Sequence, residues 1–372
     1  MEEVSSYSVS LSPLNDISIL ETQWLDLEAR SSCPFFLSWT WISAWLSTFA
    51  PDCEVLKVRF QGQVVGLALV TRSQFSVFNR FSSSRIHFHQ TGNAVCDQIW
   101  TEYNGMLCMD EHYKASLLAS VRYLEASFPD WDELVVGAVS KEVAETLEGA
   151  SNLKRHNLWQ SPSYGVDLLK IAKNSGDYLG SLSRNTRYQI RRSLRLYQSE
   201  SAGLALVFAR SCAQALEYLE EVAPLHLARW GSGPNESGFA NDRFVEFHRE
   251  LIRRAWPEGQ IDFIKVINGD SVIAYIYNFL YRGTAYFYLS GLAMESDSKL
   301  KPGLCSHALC IQHYLDKGLE YYDFMGGEAR YKASLGKKSD ELYQITLQKN
   351  RLKFKVEGFL RNIKQVVANS LQ

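Results

Sequence analysis

One hairpin is written twice in this chain, and that repeat constrains its fold more than any other feature. Leu56-Lys-Val-Arg-Phe-Gln-Gly-Gln-Val-Val-Gly66 aligns without a gap on Ile264-Lys-Val-Ile-Asn-Gly-Asp-Ser-Val-Ile-Ala274, with seven of eleven positions alike in character. Each copy is a β-branched run, a Gly-containing turn and a second run, which specifies two antiparallel strands. Hairpin grammar alone can also produce such a match. The helical patterns ahead of each copy favour an α/β unit present twice. The length of 372 residues agrees, since it exceeds one ordinary domain.

The rest of the chain fills in around the hairpins. A helix capped by Asn15 or Asp16 carries Ile19, Trp24, Leu25 and Leu27, and a second runs from Trp39 to Phe49 before Pro51. After the hairpin of 54–71, strands are expected at 86–90 and 105–109, then helix 111–127, strand 133–136 and helix 141–148. Ser161-Pro-Ser-Tyr-Gly165 interrupts the periodicity and marks the expected boundary between domains 1–165 and 166–372. Beyond it the pattern predicts helices 177–199, 213–228 and 241–256 and a meander over 261–267, 271–281 and 284–290. Helix 303–319, strands 321–325 and 342–348 and a terminal helix from Leu352 close the chain. The fold class is α/β, with each unit a mixed, largely antiparallel sheet flanked by helices.

Composition narrows the partners. The net charge of −2 gives no general attraction to nucleic acid or to an anionic membrane. No apolar run approaches the roughly 20 residues needed to span a bilayer, and the acidic N-terminus lacks the apolar core of a signal peptide. Seven scattered cysteines without CxxC spacing read as reduced thiols of a cytoplasmic protein. Eight histidines show no metal-ligand spacing, so no metal is expected. Nucleophile-elbow, Walker and dinucleotide fingerprints are missing from the sequence.

Chemistry concentrates at Tyr321-Tyr-Asp-Phe-Met-Gly-Gly-Glu-Ala-Arg-Tyr-Lys332, a strand that breaks at two glycines and delivers Glu328, Arg330, Tyr331 and Lys332. If a helical turn follows, Glu328 and Lys332 stand i, i+4, which is also the spacing of a plain surface ion pair. Lys301-Pro-Gly303 opens a helix whose unpaired N–H groups suit a phosphate. Arg184, Arg187, Arg191 and Arg195 form one stripe on a helix, either a solvated face or a clamp for phosphate or carboxylate.

The order of these elements, with Cys33-Pro-Phe-Phe-Leu-Ser-Trp-Thr-Trp-Ile-Ser-Ala-Trp45, Glu102-Tyr-Asn-Gly105, Leu182-Ser-Arg-Asn-Thr-Arg-Tyr-Gln-Ile-Arg-Arg192 and Gly327-Glu-Ala-Arg-Tyr-Lys332, resembles the GNAT acyltransferase superfamily. The likeness is to its tandem BioF2-like or CelD-like branch, related to the FemAB aminoacyltransferases, and covers nearly the whole chain as two GNAT-like units. It implies a non-catalytic first unit and a second unit that moves an acyl group from acetyl-CoA or another acyl-CoA. The implied acceptor is an amine or hydroxyl on a small molecule such as an amino sugar or polysaccharide precursor. Glu328 is then the candidate base, Tyr331 the acid or an orienting group, and Lys332 the holder of an anionic group of donor or acceptor. Lys299, Lys301, Gly303, Leu304, Cys305 and Ser306 are the expected donor-phosphate seat. The family pattern there, Arg/Gln-x-x-Gly-x-Gly/Ala, survives only as Gly303-x-Cys305 between flanking lysines. Arg184, Arg187, Trp39 and Asp97 are the expected substrate contacts, although Trp39 also reads as core and Asp97 as a turn residue. Two rival readings are a FemAB-type aminoacyltransferase with tRNA as donor and a non-catalytic scaffold of polysaccharide assembly.

Overall fold

A computed structural model describes residues 6–77, 81–149, 153–174, 176–233 and 236–354. The helix expected from Leu352 lies almost wholly outside these, as does the acidic N-terminal pentapeptide. The first half runs β1 (Tyr7–Pro13), α1 (Ile17–Ala29), α2 (Trp39–Phe49), β2 (Cys53–Phe60), β3 (Gln63–Val77), β4 (Phe81–Phe88), α3 (Ala94–Asp97), β5 (Leu107–Cys108), α4 (Tyr113–Ser127), β6 (Glu133–Ser140), α5 (Lys141–Gly149) and β7 (Lys154–Asp167). The second begins with α6 (Leu168–Asn174), α7 (Tyr178–Ser181), α8 (Arg184–Glu200), β8 (Leu204–Phe208), α9 (Cys212–Trp230) and α10 (Asp242–Ala255). It ends with β9 (Ile261–Asn268), β10 (Ser271–Tyr281), β11 (Thr284–Leu292), α11 (Pro302–Asp316), β12 (Tyr321–Gly326), α12 (Arg330–Leu335) and β13 (Lys337–Gln348).

Two copies of one unit emerge from this order. From β1 and from β8 the chain runs strand, two helices, three strands, helix, strand, helix, strand, with α3 and β5 added in the first copy. The repeated hairpin is β2–β3 in one and β9–β10 in the other. All strands join one sheet, ordered β1-β2-β3-β4-β6-β13-β7-β12-β11-β10-β9-β8, with β5 paired to β3. The order is symmetric about its centre, where each copy's last strand crosses over. The first copy's β7 pairs with β12, and the second copy's β13 pairs with β6. The Ser161–Gly165 stretch therefore lies within β7, not in a linker. Among the described residues only β4–β6 and β11–β12 are parallel pairs.

Local chemistry explains the element ends. The Asp16 carboxylate caps α1 by accepting from Ser18 and Ile19 N–H, and Ser38 caps α2. Ser183 accepts the Thr186 N–H and starts α8 at Arg184, so the helix expected over 177–199 is two helices. One apolar cluster crosses the two copies. Phe35 stacks on Phe279 at 4.5 Å, and Trp41 meets the Phe247 ring edge-on at 4.8 Å. The aromatic stretch after Cys33 is thus inter-unit core. Among the described residues no helix is long and apolar enough to cross a membrane.

Candidate active site

The two parallel pairs hold together only briefly. β11 and β12 are in register over Thr284–Tyr286 and Tyr321–Asp323. Beyond that they part, and a cavity of about 570 Å³ opens between Phe287–Ser290 and Phe324–Gly327. Trp100, Glu102, His226, Arg229, Glu328, Tyr331 and Lys332 are among the other residues of its wall.

Asp323 and the two glycines shape the strand end. Met325 has φ 60°, a costly value for a non-glycine, at a bulge in the β12–β7 ladder. The Asp323 carboxylate accepts the displaced Met325 N–H at 2.7 Å and the Tyr103 hydroxyl at 2.8 Å. Gly327 has φ 141°, and a Cβ there would lie 2.8 Å from Lys332 Nζ. The glycine thus makes room for the ammonium.

Lys332 is buried on α12, which begins at Arg330, so Glu328 precedes the helix and the expected i, i+4 face does not form. Its ammonium donates instead to Phe324 O, at 2.7 Å, and to Gly326 O. An ammonium has three donors, which leaves one for a ligand. Burial lowers the Lys332 pKa, while Glu102 and Asp323 raise it.

Glu102 comes from the first copy and accepts the Gly326 N–H at 2.7 Å. Burial pushes its carboxyl up to about 7, against the pull of Lys332, and pushes Asp323 up to about 6. Tyr331 stacks on His307, 5.4 Å between centroids, and burial raises its phenol to about 12, so it is a neutral donor. Sequence reasoning named Glu328, Tyr331 and Lys332, and all three line the cavity; Glu328 is exposed at its rim. Glu102 was not among the expected site residues, although the quoted Glu102-Tyr-Asn-Gly105 stretch was the available signal.

The other expected residues lie apart. Lys299, Lys301, Gly303, Leu304, Cys305 and Ser306 form the start of α11, which has no side-chain cap and does not line the cavity. Cys305 and Ser306 are buried, so only the backbone and the lysines can meet a ligand there; Gly303 lies against Leu292 at the end of β11. Arg184 and Arg187 line a separate groove of about 740 Å³ on α8 with Tyr188, Arg191 and Arg195. Trp39 packs near Trp24 and donates to Glu21. Asp97 accepts from Thr91 N–H, Thr91 Oγ1 and Gly92 N–H, and lines a second cavity. Among the described residues no group of three or more side chains could hold a metal.

The first copy has closed its own opening. There β4 and β6 pair over Arg85–His87 and Glu133–Val135, and Asn104 then bridges the gap. Its N–H donates to Ala138 O on β6 and its Nδ2 to Phe88 O on β4, both at 2.8 Å, while Oδ1 meets His89 Nδ1 at 3.0 Å. The loop that carries Asn104 also carries Trp100, Glu102 and Tyr103 to the second copy. The helix start equivalent to that of α11 follows Asp110 and Glu111, charges that repel a phosphate.

Residues 184–333 match the family model described as Acetyltransferase (GNAT) domain. FemX superposes with a TM-score of 0.53 and 10% identity, covering 87% of this chain and 95% of its own. L-PGS from Bacillus licheniformis gives 0.52 and 10%, covering 91% and 94%. A conserved protein of unknown function from Bacteroides thetaiotaomicron gives 0.53 and 10%, covering 92% and 100%. No curated protein sequence matches the chain. The molecule therefore has the fold of the GNAT superfamily. Over the whole chain the fold is like that of FemX, and the matched acetyltransferase domain lies in the second half.

Proposed function

We propose that the protein transfers an acyl group from acetyl-CoA or another CoA-type thioester to an amine or hydroxyl acceptor, such as an amino sugar or polysaccharide precursor. The parting of β11 and β12 carries this reading, because it offers an extended donor a slot that ends beside Lys332. The arm lies between the strands and the phosphates rest at the start of α11, held by Lys299, Lys301 and the N–H groups of Gly303 and Leu304.

The remaining Lys332 N–H holds the thioester oxygen and stabilises the oxyanion formed on attack. Glu102 takes the acceptor proton; a carboxyl raised to about 7 suits that task near neutrality better than exposed Glu328, which we place at the rim as a steering group. The acceptor nitrogen or oxygen bonds to the carbonyl carbon, the C–S bond breaks, and Tyr331 gives its proton to the departing thiolate. Proximity and oxyanion stabilisation supply most of the acceleration. Residues 166–372 act as the catalytic unit, and residues 1–165, expected to be non-catalytic, supply Glu102 as its base.

The FemAB-type alternative, with an aminoacyl-tRNA donor, draws support from the FemX likeness and from Arg184, Arg187, Arg191 and Arg195, which make no ion pair among the described residues. A thiol-release assay with acetyl-CoA and a panel of amines separates the two. Acceptor-dependent release of free thiol is expected. Deacylation of aminoacyl-tRNA by the same acceptors, without thiol release from any acyl-CoA, would sink the CoA reading.

A further inference from the structure

The cavity beside Lys332 is lined by charges of both signs that do not meet. Its wall carries the cations Arg229 and Lys332 and the carboxylates Glu102, Glu236 and Glu328. Among the described residues none of these five makes an ion pair. Glu236 accepts the Gly233 N–H at 2.6 Å, while the Arg229 guanidinium lies 5.2 Å from the Trp230 ring centroid. We infer that Arg229 determines acceptor specificity by holding an anionic group, so that the acceptor is an amine that also bears a carboxylate or a phosphate. This rests on the acyl-transfer reading and gives that reaction's acceptor a second point of attachment.

Arg229 stands in the last turn of α9, one residue before its end at Trp230. A cation there complements the helix C-terminus, but its charge also works into the cavity. Burial raises the Tyr331 phenol, and Arg229 opposes that rise. Burial lowers His226 to about 4, and Arg229 lowers it further. His226 is therefore neutral near pH 7 and meets Ser237 Oγ at 2.8 Å, so it cannot balance an anion. Lys332 has two of its donors on Phe324 O and Gly326 O and keeps one for the thioester oxygen. Arg229 is left as the cation for a ligand's permanent charge, and its fork of donors matches carboxylate and phosphate alike.

Opposite charges held apart in one cavity are the complement of a ligand that carries both. The acceptor's ammonium passes Glu328 at the rim and gives its proton to Glu102, while its anionic group meets Arg229. An amine without that second group would use the carboxylates alone and leave Arg229 unmatched. Discrimination follows from the lost charge-assisted hydrogen bonds, which a neutral analogue of equal size cannot replace.

Matched pairs of acceptors test this with the full chain and acetyl-CoA: glycine and L-lysine against their amides, phosphoethanolamine against ethanolamine, and glucosamine 6-phosphate against glucosamine. At least one anionic member is acetylated with kcat/KM about tenfold or more above its neutral partner, and the pair that responds tells carboxylate from phosphate. Arg229→Gln abolishes the preference chiefly through acceptor KM, Arg229→Lys restores part of it, and the acetyl-CoA-induced rise in Tm stays unchanged in both. Arg229 is exposed, so neither change disturbs the core. Neutral members used as well as their partners, no turnover of any anionic member, or a preference that survives Arg229→Gln overturns the inference and leaves acyl transfer standing. Loss of the acetyl-CoA shift in Arg229→Gln also overturns it, since the arginine would then serve the donor. Failure of acetyl-CoA to shift Tm in the wild type would strike the acyl-transfer reading itself, and this inference with it.

Discussion

At Lys332 two carbonyls hold a buried ammonium and leave one donor for chemistry. Lys332→Met keeps most of the side-chain volume and removes that donor. In that variant kcat should fall about 10²- to 10³-fold, as for other oxyanion donors, with little change in acceptor KM; an equal rise in KM alone would reduce Lys332 to a binding role. Glu102 sets the pH dependence. Its folded pKa is raised to about 7, so its favourable contribution to stability is whole below the ordinary carboxyl range and lost as pH rises through about 7. Activity runs the other way, since the base must be ionised. The kcat/KM profile should climb through about pH 7, and Glu102→Gln should abolish that limb while Glu328→Gln keeps it. Glu328, Tyr331 and Lys332 were legible because they stand within five residues after a glycine break. Glu102 was not, because the N–H it accepts lies 224 residues away.

Elements were legible where the signal was local. The meander, the repeated hairpin and the capped helices follow from periodicity and turn chemistry, as the Asp16 and Ser38 caps illustrate. β7 was not, because Pro162 and Gly165 sit within it and its partners β12 and β13 come from the far end of the chain. β1 alternates Val9 and Leu11 with serines, a weak signal for an edge strand. The loop after α3 shows what a single element can do. Asn104 closes the first copy's opening, and two residues earlier Glu102 reaches into the second. Asn104→Ala leaves Phe88 O without its side-chain donor and His89 Nδ1 without its partner. The expected cost is about 2–3 kcal/mol, read as a lowered denaturant midpoint, with activity falling because Glu102 loses its support. Full stability in that variant would show that the bridge is not structural.

On the scale of the whole molecule, a duplicated unit has become asymmetric. Exchange of β7 and β13 makes one sheet of two copies, so neither half of the chain carries its own central strand. The sequence repeat pointed to the duplication; it held no trace of the exchange, which depends on long-range pairing. Asn104 bridges β4 and β6 in the first copy, whereas in the second the parted β11 and β12 line the cavity beside Lys332, so one donor site per chain is expected. Calorimetric titration with acetyl-CoA tests this most directly, in the wild type and in Ser290→Trp, which fills the slot between β11 and β12 from a half-buried position. The prediction is one acetyl-CoA per chain, with binding lost in Ser290→Trp. No binding, two molecules per chain, or undiminished binding in Ser290→Trp would contradict it.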